Sequence, residues 1–243
     1  MTTFDEFKKL AVLGNVVPLY ETLLADTETP VSVYLKIKDE SPYSFLLESI
    51  EGGEKLARYS FLGFNPFMKF EVREKDFSIE AFHDDVVVLP SLVAKDDHPL
   101  VALKKLFHHI RTVRVPGLPR LTGGAVGYFG YESARLVEDI PVAANDEIGI
   151  PDCLLLFYDV VLVFDNLSHR LFLVSNAYVS RSDLSDSALR AEYEKAVGEI
   201  ERLGAILQRK ASGESGGSVS NGELEYRTPK SEFIRQVERV KQY

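Results

Sequence analysis

Glu48 and Ser49 form a polar pair inside an otherwise apolar run, YSFLLESI (residues 43–50), and a glycine-containing turn, EGG, separates them from a second apolar stretch, ARYSFLGFNP (57–66). A carboxylate in such a run is expensive to bury without a cation, so the pair needs an explanation. Two sources of cation fit the sequence. Lys55 or Arg58, across the turn, would make an internal ion pair. The other source is the ammonium group of a bound ligand. A free α-amino acid needs an acceptor for its ammonium, donors for its carboxylate and an apolar wall, and Glu48, Ser49, Arg58, Leu47 and Tyr43 together provide these.

Other residues capable of chemistry have simpler readings. GGAVGYFGYESAR (123–135) holds four glycines in eight positions, without the Gly-Lys-Ser/Thr ending of a phosphate loop or the dinucleotide-binding spacing. Glycines interleaved with Val126, Tyr128, Phe129 and Tyr131 predict a strand that another backbone or ring passes closely. His83, His98, His108, His109 and His169 are scattered and read as surface residues; the adjacent pair points about 100° apart on a helix and cannot chelate one metal as an i, i+4 pair does. Asp84-Asp85 and Asp96-Asp97 read as turn residues and helix caps. The single cysteine, Cys153, excludes an internal disulfide or a zinc cluster of thiolates, and in CLLLF it reads as a small core residue. No catalytic constellation emerges from these spacings.

The elements that must position these residues can be read from periodicity. Phe4, Phe7 and Leu10 have helical spacing, whereas Val31, Val33, Leu35 and Ile37 alternate and predict a half-buried strand. Met68, Phe70 and Val72, then Phe77, Ile79 and Ala81, alternate with polar residues, and HDD leads into VVVL as a further strand of an antiparallel meander. Leu103, Leu106, Phe107, Ile110 and Val113 share one face of a helix that starts near Pro99 and stops at VPGLP. CLLLFYDVVLVFD, the turn NLSHR and LFLVSNAYV predict a long, largely buried hairpin. A long helix follows, with Leu189, Tyr193, Val197, Ile200, Leu203 and Leu207 inward. These elements make an α+β fold, with antiparallel sheets packed as a sandwich-like core and helices outside.

Composition bounds the function. The 243 residues are 45% hydrophobic, and 37 acidic against 28 basic side chains give a net charge of −9, which disfavours nucleic acid as a partner because no concentrated basic stripe is present to displace counterions. No targeting segment is read at the N-terminus, no apolar run reaches the ~20 residues of a membrane span, and a cytoplasmic location with no membrane partner is expected. Residues 1–210 read as one domain, 211–227 as a flexible Gly/Ser-rich linker, and 228–243 as the start of another helix, capped by Thr228 or Ser231, with Phe233, Val237 and Val240 on one face.

LLES (46–49), ARYSFLGFNP (57–66) and GYFGYESARLVEDIP (127–141) resemble, in that order, the N-terminal region of the large (aminase) component of anthranilate synthase. The resemblance runs from about residue 10 to 204, and SEFIRQVERVKQY (231–243) is similar to the helix that opens that family's chorismate-binding domain. Each motif alone is weak; three in order are specific. One departure is Glu132, where relatives often carry Asp. The resemblance implies that the parent enzyme converts chorismate and ammonia, delivered from glutamine by a separate amidotransferase subunit, into anthranilate and pyruvate with magnesium. It also implies that the catalytic and magnesium-binding residues belong to a C-terminal domain that this chain stops short of, so that the chain alone is inactive and holds no cofactor. The family's tryptophan feedback site then falls on Leu47, Glu48 and Ser49, with Arg58 added on physical grounds. The large component of aminodeoxychorismate synthase shares this architecture and stays as an alternative, as does an interaction module without a small-molecule site.

Overall fold

The computed structural model describes residues 1–48, 58–82, 88–140, 149–180, 182–209 and 228–242. Two compact units, Met1–Ser212 and Gly213–Tyr243, divide the chain. In the first, Thr3 opens α1 (Phe4–Ala11) with a capping box, its hydroxyl accepting from the Glu6 N–H while the Glu6 carboxylate accepts from its own N–H, and Phe7 and Ala11 turn inward. Strand β1 (Val16–Leu24) follows.

Residues 30–37 depart from expectation: they form a helix, α2 (Pro30–Ile37), not a strand. Val33 and Ile37, the buried pair, are four apart and so satisfy a helical period as well as an alternating one, while Val31 and Leu35 stay exposed. The cap decides between the two periods. Thr29 and Ser32 exchange hydrogen bonds as a capping box and Pro30 occupies the first turn, where its missing N–H costs nothing.

Strands β2 (Ser44–Leu47), β3 (Tyr59–Phe64), β4 (Met68–Arg73) and β5 (Asp76–Ala81) come next. The expected β4–β5 hairpin is present, with Lys69 opposite Glu80 and Phe70 opposite Ile79. The further strand at VVVL is not: its first two residues lie outside the described residues, and Val88–Ser91 is a short helix, α3. Pro90 is one reason, because it has no N–H to give a ladder. Helix α4 (Pro99–His109) buries Leu103 and Leu106 as expected but leaves Phe107 half exposed, and it ends before VPGLP. Strand β6 (Gly124–Phe129), a 3₁₀ turn at Tyr131–Leu136, and strands β7 (Cys153–Tyr158), β8 (Val160–Asp165) and β9 (Arg170–Tyr178) lead to α5 (Asp186–Gln208), which Ser185 caps.

Every ladder between these described strands is antiparallel. One sheet has the order β1-β9-β8-β3-β2 and the other β5-β4-β7-β6. The long hairpin read from CLLLFYDVVLVFD is therefore confined to β8 and β9, because the chain changes sheets at Asp159 and β7 pairs with β4 and β6 instead. Helices α1, α2 and α5 cover one face of the five-stranded sheet, with Phe7, Val33, Leu62, Leu173, Ile200 and Leu203 in the core. A separate core around Phe70, Leu106 and Phe157 lies between α4 and the four-stranded sheet. Val161, Val163, Phe172 and Val174, on the opposite face of the larger sheet, pack with Val126, Leu156 and Tyr158 of the smaller one.

Asn15 ties these layers together. Its amide donates to the His109 carbonyl at 2.8 Å and its Oδ1 accepts the Arg111 N–H at 2.7 Å, so the end of α4 is fastened to the start of β1. In the second unit, α6 (Lys230–Val240) is preceded by Pro229 at the cap position, and neither Thr228 nor Ser231 supplies a capping hydrogen bond. None of the described helices is long and apolar enough to cross a membrane.

Candidate functional site

Asp165 closes β8 and is only 3% exposed. From the residue before β3, Arg58 meets it as a fork, with Nε donating to Oδ1 at 3.1 Å and Nη2 to Oδ2 at 2.7 Å. Oδ1 also accepts the N–H groups of Leu167 at 3.1 Å and Ser168 at 3.3 Å. Burial opposes the charge on this carboxylate, but the hydrogen bonds from Arg58 and from the Ser168 and Leu167 turn outweigh it and pull the group down to about 2. The hydrogen bond to Asp165 correspondingly raises Arg58, whose guanidinium carbon lies 4.9 Å from the centre of the Tyr59 ring. Asn166 completes the clasp, its N–H donating to the Arg58 carbonyl at 2.8 Å and its side-chain amide to the buried Ser60 hydroxyl at 3.1 Å.

Strand register brings three of the four predicted site residues to one end of the larger sheet. Leu47 is opposite Phe61, and Tyr59, two residues along β3, is opposite Asp165. Leu47 is 45% exposed. Glu48 is exposed too, although apolar residues flank it in sequence: it follows the last paired residue of an edge strand, where water can hydrate the carboxylate. It makes no ion pair with any described residue, whereas Arg58, one of its two expected internal partners, is engaged by Asp165. Ser49 and Lys55 lie outside the described residues. Tyr43 packs on Phe82, ring centres 5.7 Å apart. Asp165 carries no signal of this role in the sequence, where FDN reads as an ordinary strand end.

The glycine-rich strand shows the close approach expected of it. A Cβ on Gly127 would stand 1.9 Å from the carbonyl oxygen of Leu154, so the β6–β7 ladder admits only glycine there. Beyond it, Glu132 pairs with Arg135, and the Ser133 hydroxyl donates to the Asp152 carbonyl at 2.6 Å. Among the described histidines, His98 caps α4, His108 is exposed, His109 stacks on Tyr178 and His169 occupies a left-handed turn. Cys153 is fully buried, and burial, with the charge of Asp152, pushes its thiol up to about 11. No three His, Cys, Asp or Glu side chains among the described residues gather into a group that could hold a metal ion. The arrangement offers an exposed carboxylate, a half-exposed apolar side chain and a half-exposed guanidinium, a set suited to binding.

Over residues 42–243 the chain matches a protein family described as chorismate binding enzyme. It is 32% identical to anthranilate synthase component 1 of Acetivibrio thermocellus, across 99% of this chain and 48% of that protein. To the protein of the same name from Pseudomonas putida it is 35% identical, across 98% of this chain and 47% of that one. The chain thus spans about half the length of these relatives. A solved structure of anthranilate synthase component I from Streptococcus pneumoniae is similar at 24% identity with a TM-score of 0.37, covering 74% of this chain and 37% of that one.

Proposed function

Because the chain belongs to the chorismate-binding enzyme family, we propose that it is the N-terminal, regulatory part of an anthranilate synthase large component. The whole protein, in this reading, converts chorismate and ammonia to anthranilate and pyruvate in the cytoplasm, with magnesium held outside this chain and ammonia supplied from glutamine by an amidotransferase subunit. The observation that carries the proposal is the likeness to proteins named anthranilate synthase component 1 along nearly the whole chain.

The chain's own contribution is a tryptophan site at Leu47, Glu48, Ser49 and Arg58. Its support is chemical. Glu48, exposed and unpaired among the described residues, is available to accept an ammonium group, and Leu47 offers apolar surface beside it. Arg58 gives two of its N–H groups to Asp165, so its part is to hold the strand end and bring positive charge near a ligand carboxylate.

The test is performed on the full-length enzyme. Anthranilate fluorescence should appear with chorismate, ammonia and magnesium and fall when tryptophan is added. Ser49→Phe should fill the effector site and abolish the inhibition while leaving turnover largely intact, since a ligand that cannot bind cannot shift a linked equilibrium. Formation of aminodeoxychorismate in place of anthranilate would reject the enzyme assignment; unchanged inhibition in the variant would remove Ser49 from the site.

A further inference from the structure

Asp165 meets Arg58 in a way that leaves the guanidinium a second use. An arginine side chain carries five N–H donors in a planar fork, and two of its edges can each take a carboxylate. Asp165 occupies the Nε–Nη2 edge at 3.1 and 2.7 Å, so Nη1 and the second N–H of Nη2 have no hydrogen-bond partner among the described residues. The Arg58 side chain is 40% exposed, that of Asp165 only 3%. Asp165 is itself anchored, because the Leu167 and Ser168 N–H groups hold its Oδ1. The same turn fixes the backbone of Arg58, whose carbonyl accepts the Asn166 N–H at 2.8 Å, and the Tyr59 ring lies under the guanidinium.

We infer that Asp165 is a positioning residue of the proposed effector site: by holding one edge of the Arg58 fork, it turns the opposite edge, Nη1 and Nη2, to the α-carboxylate of the bound amino acid. This inference rests on the tryptophan site proposed above. The ladders bring the two ends of such a ligand to one region. Strand β2 ends at Leu47, next to the exposed Glu48, and β3, antiparallel to it, starts next to Arg58. A neutral side chain in place of Asp165 would change two things. It would leave Arg58 its full charge, which favours a second carboxylate, and it would release the side chain into many rotamers, which a ligand would have to order again. Water screens the first effect at a half-exposed site, so the loss of position dominates. The consequence is selectivity: with Asp165 in place, the site should prefer a free carboxylate to its amide.

Inhibition constants of the full-length enzyme test this with two effectors of one shape, tryptophan and tryptophanamide, which lacks the carboxylate. The parent should be inhibited about tenfold more tightly by tryptophan, the difference made by a charge-assisted pair. Asp165→Asn should weaken tryptophan about tenfold and tryptophanamide less than about twofold, so that their ratio falls towards one; Asp165→Ser serves if that variant fails to fold. Both constants come from the same enzyme, so any change in turnover cancels. Arg58→Lys, which keeps a charge but has no second edge, should give the same loss, and the double variant Arg58→Lys/Asp165→Asn should lose nothing further. An unchanged ratio in Asp165→Asn, equal weakening of both effectors, or losses that add in the double variant overturns the positioning role. Absence of tryptophan inhibition in the parent would reject the regulatory reading and this inference together, whereas tryptophan inhibition with an unchanged ratio rejects this inference alone.

Discussion

Two carboxylates that look alike in the sequence behave differently in the fold. Glu48 ends an edge strand in water, whereas Asp165 is buried and answered by four hydrogen bonds. Glu48→Gln should therefore change melting without ligand very little, yet weaken tryptophan inhibition of the full-length enzyme roughly tenfold, since a charge-assisted bond is worth about 1.5 kcal/mol or more. A large loss of melting temperature with inhibition intact would show that Glu48 is structural. Asp165→Asn should cost about 2 kcal/mol in denaturant unfolding, because a neutral amide cannot hold the Arg58 fork, and the half-exposed guanidinium regains only part of the loss from water. The pH dependence has a defined sign. The Asp165 carboxyl lies at about 2 in the folded chain against an ordinary 3.8, so its contribution is complete above the ordinary value and disappears as pH falls through the folded one. The stability gap between the parent chain and Asp165→Asn should accordingly close between about pH 5 and about pH 1; a gap independent of pH would count against the ion pair.

Among the elements, β6 and α2 show how much local sequence can settle. At Gly127 the requirement is absolute, since the obstructing atom is backbone and cannot rotate away. Gly127→Ala should destabilise the unit by about 2 to 3 kcal/mol, as overpacking at an unyielding contact does, and should raise amide exchange at Tyr128 and Phe129 more than in the five-stranded sheet. Uniform exchange across both sheets would mean that β6 does not open by itself. The need for glycine was legible from its interleaving with aromatics; its partner strand was not. Helix α2 shows the converse, where alternation of Val31, Val33, Leu35 and Ile37 misled because a short segment can match two periods at once. The deciding information, Thr29 and Ser32 around Pro30, was also in the sequence, as a cap.

For the whole molecule, no group of three metal-ligating side chains gathers among the described residues, and the chain matches relatives about twice its length. Under the proposed function, the chain alone should form no anthranilate from chorismate, ammonia and magnesium; steady fluorescence from material free of host enzyme would reject that division of labour. Periodicity alone determined most elements of this protein, including α4, α5 and the β4–β5 hairpin, because one buried face repeats at the spacing of the element that carries it. Ordered motifs determined the family. The division of CLLLFYDVVLVFD between two sheets, the exposure of Glu48 and the union of Arg58 with Asp165 were decided only by tertiary structure. The reason is that hydrophobic patterning reports that a face is buried and not which strand lies against it, and residues 107 positions apart meet only when the register of the ladders has placed them.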